Sequence, residues 1–265
     1  MATVTPPQPV DLLKGIQVTL SRRGIDYERI VGEFGQVAAS VQRQHGKAFS
    51  FRDHLRGLIL SLLSNQRPWG PIARNLESIE AVFLGYDQDR LADASPEKLL
   101  AKLREIRCGN RAAAVQLRAL AGNIATLHRI EGDFGSLDTF VTSDTPDGIA
   151  KRLASSGRYK LKQVGYTLAL EYLRNVGIRA GKPDVHIRRV LSEERLAYCA
   201  GVPSEEHALR LVARLAQGAS CNPTYLDNLL WLFCAKDYGN VCGATPKCAL
   251  CELSTSCRYP QAQPA

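Results

Sequence analysis

Four cysteines near the end of the chain limit its possible folds more than any other feature. They form a C-x5-C-x2-C-x5-C run within sixteen residues: Cys242, Cys248, Cys251 and Cys257. The intervening residues, GATPK, AL and ELSTS, include almost no apolar side chains. This segment therefore cannot build a core of its own, and a bound metal centre is expected to order it. Four closely spaced thiolates are the usual ligands of zinc or of an iron–sulfur cluster.

The spacing of the four cysteines favours a [4Fe-4S] cluster over zinc. Structural zinc sites usually contain two CxxC pairs. Here only Cys248 and Cys251 have that spacing, and five residues separate each from the next cysteine outward. We predict a [4Fe-4S] cofactor, with zinc or a set of free cysteines as alternatives. The scattered cysteines are expected to be buried structural thiols: Cys108, Cys199, Cys221 and Cys234.

The composition is that of a globular protein with excess positive charge. Hydrophobic residues make up 45% of the chain, and the net charge of +8 favours a polyanionic partner, such as nucleic acid or an anionic membrane surface. No apolar run approaches the roughly 18 residues that span a bilayer, and the N-terminal sequence lacks a secretion signal. We expect an intracellular protein, cytoplasmic and nucleoid-associated if bacterial, in which disulfides are not favoured.

The apolar pattern predicts an all-α fold of about ten helices joined by short loops. Neither strand alternation nor an internal repeat is found. Residues 1–10, rich in proline, are predicted to be a flexible tail, and the helix from His54 to about Gln66, ending at Pro68, is apolar on nearly all sides. The other predicted helical segments are 11–44, 71–83, 97–106, 111–129, 137–142, one opening at Pro146, 166–175, 185–198, 203–217 and 223–235.

The stretch from Gly157 to Val190 combines a tight turn, basic residues and an aspartate. A helix follows the turn at Val164 and Gly165 directly, an arrangement in which backbone N–H groups can bind an anion. The basic residues on either side are Lys160, Lys162, Arg188 and Arg189. A nucleic-acid phosphate is the obvious anion, although an ordinary helix-turn-helix corner has the same pattern.

With the cysteine run, this stretch resembles the endonuclease III branch of the helix-hairpin-helix DNA glycosylases. The LLSNQ of residues 62–66 is similar to the family's LLSxQ segment. Residues 163–166, QVGY, are similar to its hairpin GxGx with Gln in place of the first Gly, and residues 182–186, KPDVH, to its VDTH segment. The LRNVG of residues 173–177 is similar to the 8-oxoguanine glycosylase branch. The resemblance covers about residues 51–257.

The resemblance implies a two-lobed all-α fold, with a six-helix barrel and an iron–sulfur cluster lobe. Residues 53–178 would form the barrel with the hairpin, and residues 11–52 with 179–265 a discontinuous cluster domain. The expected partner is double-stranded DNA containing a lesion or mismatch, bound between the lobes by a monomer with no membrane association. The family's cluster loop is C-x6-C-x2-C-x5-C and rich in basic residues, whereas this one is a residue shorter and keeps only Lys247.

Asp184 is the predicted catalytic residue. Breaking a glycosidic bond places positive charge on the sugar, and a carboxylate stabilises it and activates water; helix capping is the structural alternative. The Schiff-base lysine of bifunctional members aligns with Thr167, or with Tyr166 if Asp184 sets the register. Neither side chain forms an imine. The resemblance therefore implies a monofunctional N-glycosylase with weak or absent AP lyase activity.

Base excision from a duplex also requires a residue that fills the gap left by the flipped base. By resemblance this is Gln66, supported by Arg67 and Trp69, while Arg107–Arg111 forms a loop facing the opposite strand. His186 is expected to be a structural hydrogen-bonding residue rather than a base. The predicted DNA-binding residues are Gln66, Arg67, Asn110, Arg111, Lys160, Lys162, Val164, Gly165, Tyr166, Thr167, His186 and Arg188.

Two alternatives remain open at this stage. One is a DNA damage- or structure-binding protein that has kept the fold and lost catalysis. The other is a bifunctional glycosylase/AP lyase with a relocated lysine. The sequence does not specify which base would be removed.

Overall fold

The computed structural model describes residues 5–67 and 69–261, and within these ranges the chain consists of helices and turns without a strand. The all-α prediction is therefore confirmed. None of these helices has the length and apolar character needed to cross a membrane. The α-helices are α1 (Pro9–Arg22), α2 (Tyr27–Glu33), α3 (Gln36–Gln44), α4 (Phe51–Leu63), α5 (Trp69–Ala73), α6 (Leu76–Val82), α7 (Gln88–Ala92), α8 (Pro96–Glu105), α9 (Ala113–Arg118), α10 (Leu120–Phe134), α11 (Leu137–Thr142), α12 (Pro146–Ala154), α13 (Tyr166–Asn175), α14 (Val185–Leu191), α15 (Glu205–Gly218), α16 (Pro223–Cys234) and α17 (Arg258–Gln261).

The described chain contains more and shorter helices than the ten predicted. The segment 11–44 divides into three helices because Gly24 and Gly35 adopt left-handed φ angles of 70° and 74°, which end α1 and α2. The segment 185–198 ends as a helix at Leu191, and turns follow it. The bounds of α11 and α13 agree with the predicted segments 137–142 and 166–175.

Helix α4 begins at Phe51, three residues before the predicted start at His54. Ser50 and Asp53 form a capping box: the Ser50 Oγ accepts from the Asp53 N–H, and the Asp53 carboxylate accepts from the Ser50 N–H. The helix ends at Leu63, and the predicted end at Pro68 lies outside the described residues. The predicted tail, residues 1–10, is described only from residue 5, and α1 already begins within it at Pro9.

The chain divides into two compact units. The continuous unit is Ala38–Ile178, and the discontinuous unit comprises the described residues before Ala38 and after Ile178. The first boundary falls inside α3, whereas the sequence analysis assigned residues 11–52 to the discontinuous domain. Most of α3 belongs with the continuous unit because Arg43 binds Asp138 and the Val176 carbonyl there, with Nη2 contacts of 2.6 and 2.7 Å.

The core of the continuous unit is built around α4, which is buried on most of its circumference. Helix α13 packs against α4 at Gly57, where an added Cβ would lie 3.1 Å from the Val176 side chain. The Asn175 amide donates to the Gly57 carbonyl over 2.9 Å, so the two helices are also joined by a hydrogen bond. The end of α13 is thereby held at a fixed position on the central helix.

The core of the discontinuous unit is built around α16, whose residues are buried on nearly every side. Apolar side chains of α1, α14 and α15 pack on it, including Leu12, Ile187 and Val212. The cluster of buried residues continues into the cysteine loop, residues 242–257, through Cys242, Leu253 and Cys257. The loop is therefore attached to this core at both ends.

Candidate nucleic-acid and metal sites

The hairpin segment, residues 157–166, is fixed from inside the continuous unit by Asn123. This side chain is fully buried in α10, donates to the Lys162 carbonyl over 3.0 Å and accepts from the Lys162 N–H over 2.7 Å. A buried side chain that satisfies both backbone groups of one residue replaces the hydrogen bonds that regular structure would supply. The loop conformation is therefore set by the core.

The two hairpin lysines have different surroundings. The Lys160 ammonium donates to the carbonyl oxygens of Ala154 and Val164, each over 2.5 Å, and burial lowers its pKa. Two of its three donors thus serve the hairpin itself. Lys162 is exposed on the same segment. Of the two, Lys162 has the geometry of an outward-facing charge.

The turn itself has a left-handed residue where the GxGx pattern has its first glycine. Gln163 has a φ angle of 61°, a conformation that glycine adopts without a steric penalty. The Val164 side chain is buried, so only its backbone is available to a partner. Gly165 is exposed and begins α13 at a φ of −88° without a side-chain cap, and an added Cβ would meet no atom within 4 Å. Nothing within the described fold requires glycine at position 165.

Tyr166 and Thr167 lie in the first turn of α13. The Tyr166 hydroxyl donates to Asp147 Oδ1 over 2.5 Å, and Asp147 Oδ2 is paired with the Lys151 ammonium at 2.9 Å. One carboxylate therefore joins the residue at the expected lysine position to a lysine on α12. The Lys151 ammonium is therefore held near this turn by its ion pair with Asp147.

Gln66 is exposed at the end of the LLSNQ segment, with a left-handed φ of 51°. The neighbouring Arg67 donates from its guanidinium to the carbonyls of Gly109 and Arg107. Asn110 donates to the Leu62 carbonyl over 2.8 Å. Arg67 and Asn110 thus join the segment after α4 to the loop at residues 107–111, and Gln66 precedes Arg67 in that segment.

A cavity of about 310 Å³ opens where the two segments meet. Four arginines contribute to its lining, Arg67, Arg104, Arg107 and Arg111, and no acidic side chain does. Arg111 is exposed. Trp69, two residues after Arg67, begins α5. This face of the continuous unit is suited to an anion.

Asp184 caps α14 in the discontinuous unit. Its Oδ1 accepts from the backbone N–H groups of His186 and Ile187, over 2.8 and 3.2 Å. Among the described residues no donor contacts Oδ2. The carboxylate is half-buried. Capping therefore uses one oxygen and fixes the orientation of the other.

His186 and the arginines of α14 have internal partners. The His186 Nδ1 accepts from Arg189 over 2.9 Å, and burial lowers the pKa of this imidazole. Arg188 donates to the Pro203 carbonyl over 2.7 Å. The Arg189 guanidinium also makes a long contact of 3.4 Å to the Cys242 carbonyl. Helix α14 thus connects Asp184 at its start to the cysteine loop near its end.

The thiols of the cysteine loop and the nearby Cys234 are close enough to shift one another's pKa. The Cys234 thiol hydrogen-bonds Cys242 and lowers the pKa of that thiol, an effect that burial opposes and that the charges of Arg195 and Arg189 reinforce. Burial raises the pKa of Cys251 to about 12. Within residues 5–67 and 69–261 no three His, Cys, Asp or Glu side chains are already arranged as metal ligands.

Two arginines beside the cysteine loop have buried guanidinium nitrogens without hydrogen-bond partners, and these bear on whether the loop fits a metal centre. Arg195 is 5% exposed, and its Nε and Nη1 are buried without a hydrogen-bond partner; the buried Arg189 Nε also has none. Buried cations without partners cost several kcal/mol unless an anionic group lies next to them. Four metal-bound thiolates would be such a group, so the donor set and its surroundings fit a four-cysteine metal centre.

Comparison with known proteins gives one relevant structural match. No protein-family model and no curated protein sequence matches the chain. The crystal structure of the Methanocaldococcus jannaschii 8-oxoguanine glycosylase/lyase in complex with a 15mer DNA containing 8-oxoguanine superposes with a TM-score of 0.52 and 19% sequence identity. The match covers 82% of this chain and 95% of that one. The chain has a DNA glycosylase fold.

Two residues that shape the sites of this DNA glycosylase fold are absent from the sequence prediction. Asn123 is a polar residue on the buried face of α10, next to Ile124 and Leu127. A polar residue at a core position was the available signal. Arg195 lies in the turns after α14, and nothing in the surrounding LSEERLAYC sequence marks it as buried.

Proposed function

We propose that the protein is a DNA-repair N-glycosylase that removes a damaged or mismatched base from double-stranded DNA, with water activated by Asp184. The observation that carries this proposal is the Asp184 carboxylate, oriented by α14 through Oδ1 with Oδ2 lacking a donor among the described residues, in a chain with a DNA glycosylase fold. The structurally similar archaeal protein is an 8-oxoguanine glycosylase/lyase crystallised with DNA.

The proposed chemistry needs one oriented carboxylate. As the C–N bond of the nucleotide breaks, positive charge develops on the sugar, and a nearby carboxylate stabilises it. Because Oδ1 is held by two backbone N–H groups, Oδ2 is the oxygen available to accept a proton from the attacking water. The products would be the free base and an abasic site, and hydrolysis by water requires no Schiff-base lysine.

The hairpin segment supports a DNA partner. Gly165 is exposed and begins α13 without a side-chain cap, and Lys162 is exposed beside it. Helix N-termini of this kind bind phosphate through backbone N–H groups. With a net charge of +8, binding is expected to weaken steeply as salt concentration rises. We propose that the protein acts on DNA as a monomer in the cytoplasm, with no membrane partner.

We propose a [4Fe-4S] cluster as the cofactor, with zinc as the alternative. Cys242, Cys248, Cys251 and Cys257 would hold it, and the unpartnered N–H groups of the neighbouring arginines support this assignment. When bound, the group would supply the structural order that the intervening residues lack. Asp184 and the DNA-contacting residues would carry the reaction.

A second candidate is a bifunctional glycosylase/AP lyase. The supporting observation is the chain of contacts from the Tyr166 hydroxyl through Asp147 to the Lys151 ammonium, which brings an amine close to the expected lysine position. In that case the Lys151 amine would attack the sugar C1′, displace the base and form an imine, from which β-elimination cuts the strand.

The deciding experiment is a panel of duplexes. Each contains an oxidised pyrimidine, 8-oxoguanine, a mismatched adenine, uracil or thymine, or an alkylated purine. Wild type, Asp184→Asn and Asp184→Ala are compared for alkali-revealed cleavage. Asparagine keeps the helix cap, so Asp184→Asn should lose about 10²–10⁴-fold in rate with little change in stability. Asp184→Ala should in addition lose roughly 1 kcal/mol of stability.

Failure on every lesion would favour the alternative of a protein that binds damaged DNA without catalysis. For the lyase candidate, borohydride is added to wild type with the lesion duplex. A covalent adduct that disappears in Lys151→Ala and persists in Lys162→Ala would assign the amine. No adduct in the presence of base release supports the monofunctional enzyme.

A further inference from the structure

Arg195 is a buried cation without a carboxylate partner among the described residues. Its Nε and Nη1 are buried without a hydrogen-bond partner, Nη2 makes a long contact of 3.4 Å to the Ala244 carbonyl, and the guanidinium lies beside the Cys242 thiol. The guanidinium carbon lies 3.8 Å from the centroid of the Tyr259 ring, in a cation–π position. The nearby acid Glu193 is paired with Arg258. One aromatic ring compensates only part of the loss of hydration.

The group that faces Arg195 is the cysteine loop. The Arg195 Nη2 contacts the carbonyl of Ala244, two residues after Cys242, and the Tyr259 ring beside its guanidinium follows Cys257 by two residues. A neutral thiol is a weak acceptor and gives a buried guanidinium little stabilisation. The same sulfur atoms bound to a metal would be thiolates with a negative charge.

Arg189 also contacts the loop and also has a guanidinium N–H without an acceptor. Its Nε is buried without a partner, while Nη2 contacts the His186 Nδ1 and the Cys242 carbonyl. Arg189 and the buried Arg195 thus both contact this loop, through the Cys242 and Ala244 carbonyls, and each has a buried guanidinium nitrogen without an acceptor.

We propose that Arg195, assisted by Arg189, is an internal counter-cation of a four-thiolate metal centre held by Cys242, Cys248, Cys251 and Cys257. This inference rests on the proposed metal centre and is independent of which base is excised. Both zinc and an oxidised [4Fe-4S] cluster with four thiolates are dianionic, so two arginines match the charge of either. The unpartnered N–H groups become donors to sulfur when the metal is bound.

Replacing Arg195 by methionine is expected to have opposite effects on the metal-free and the metal-bound protein. In the metal-free protein Arg195 is an uncompensated buried charge, so Arg195→Met should raise the thermal unfolding midpoint or leave it unchanged. In the metal-bound protein the same substitution removes a counter-charge, so the metal should be lost faster by about tenfold or more. A merely structural arginine would lower stability in both forms.

The experiment uses the full chain, reconstituted separately with iron and sulfide and with zinc. Metal content, the rate of metal release to a chelator and the unfolding midpoints of stripped and loaded protein are measured for wild type, Arg195→Met and Arg195→Lys. Lysine keeps the charge with fewer donors, so its release rate should lie between the other two. Arg210→Met, at an exposed position of α15, is the matched control and should behave as wild type.

Each outcome separates the inference from the proposed function. Equal release rates for wild type and Arg195→Met would overturn the role of Arg195 while the metal centre stands. A lower midpoint of Arg195→Met in both forms would make the arginine a packing residue and would also overturn it. If wild type retains neither metal, the metal centre and this inference fail together, whereas base release in the lesion panel is judged by its own assay.

Discussion

The hairpin segment and the cysteine loop are both irregular, and they differ in how their polar groups are satisfied. In the hairpin, Asn123 satisfies both backbone groups of Lys162, and Lys160 donates to two carbonyls. Around the cysteine loop, three N–H groups of Arg189 and Arg195 are buried without acceptors. The first region is complete within the described protein, whereas the proposed metal centre would supply the acceptors that the second lacks.

This difference indicates what each region is suited to do. A segment whose internal hydrogen bonds are complete keeps its shape before a ligand arrives, which lowers the ordering cost of binding DNA. A segment with unsatisfied buried cations gains most of its stability from the group that it binds. We therefore expect the hairpin to be independent of metal and the cysteine loop to depend on it.

The largest effect is expected from removal of one cysteine of the loop. Cys257→Ser should abolish stoichiometric metal binding and lower the free energy of unfolding by about 3 kcal/mol or more. Metal analysis and denaturant unfolding measure this. Cys221→Ser, at a half-buried thiol outside the loop, is the control and should retain the metal. Full metal content in Cys257→Ser would contradict the assignment.

The hairpin should be broken by a change in the core of the continuous unit. Asn123→Ala leaves both backbone groups of Lys162 without partners, which is expected to cost about 2–3 kcal/mol of stability and to weaken DNA binding. Asn123→Asp keeps the acceptor for the Lys162 N–H but buries a carboxylate against the Lys162 carbonyl, so a loss at least as large is expected. Binding titrations and chemical unfolding measure both. Unchanged unfolding in Asn123→Ala would mean that the hairpin is held in another way.

Features that depend on residues close together in the sequence can be predicted from it, whereas features that depend on distant residues cannot. The bounds of α11 and α13 and the cap at Asp184 depend on neighbouring residues such as Ser136, whose side chain accepts from the Thr139 N–H. The role of Asn123 depends on a residue 39 positions away. Arg195 similarly contacts Ala244, 49 positions later. Such partners become visible only when the chain has folded.

Acid should destabilise the continuous unit through the buried His54. Burial lowers the pKa of His54; burial also raises that of Asp138, but hydrogen bonds from His54 and Arg43 outweigh it and lower the pKa overall. Both groups have a lower pKa in the folded than in the unfolded protein, so the stability that they contribute is complete above about pH 6.5. As the pH falls, the contribution of His54 is lost first. The contribution of Asp138 is lost near about pH 4 and below. Unfolding measured across pH tests this. His54→Gln should flatten the upper part of the curve, and an unchanged curve in this variant would contradict the role of His54.

The smallest expected effect is a gain in stability at the hairpin turn. Gln163 has a left-handed φ of 61°, so Gln163→Gly relieves strain and should raise the free energy of unfolding by roughly 0.5–1 kcal/mol. The same substitution at Gln217, in α15, should lower it. Thermal denaturation of the two variants provides the measurement. A loss at position 163 would mean that the glutamine side chain stabilises the turn.

The short helix α14 is held by the core of the discontinuous unit. It has seven residues, about 10 Å, and a helix this short has little stability of its own. Its Ile187, Val190 and Leu191 side chains are almost fully buried in the core, whereas its contact with the cysteine loop is the long one from Arg189 to the Cys242 carbonyl. The direction of the Asp184 carboxylate is therefore expected to tolerate local disorder of the loop but not a loss of packing around α14.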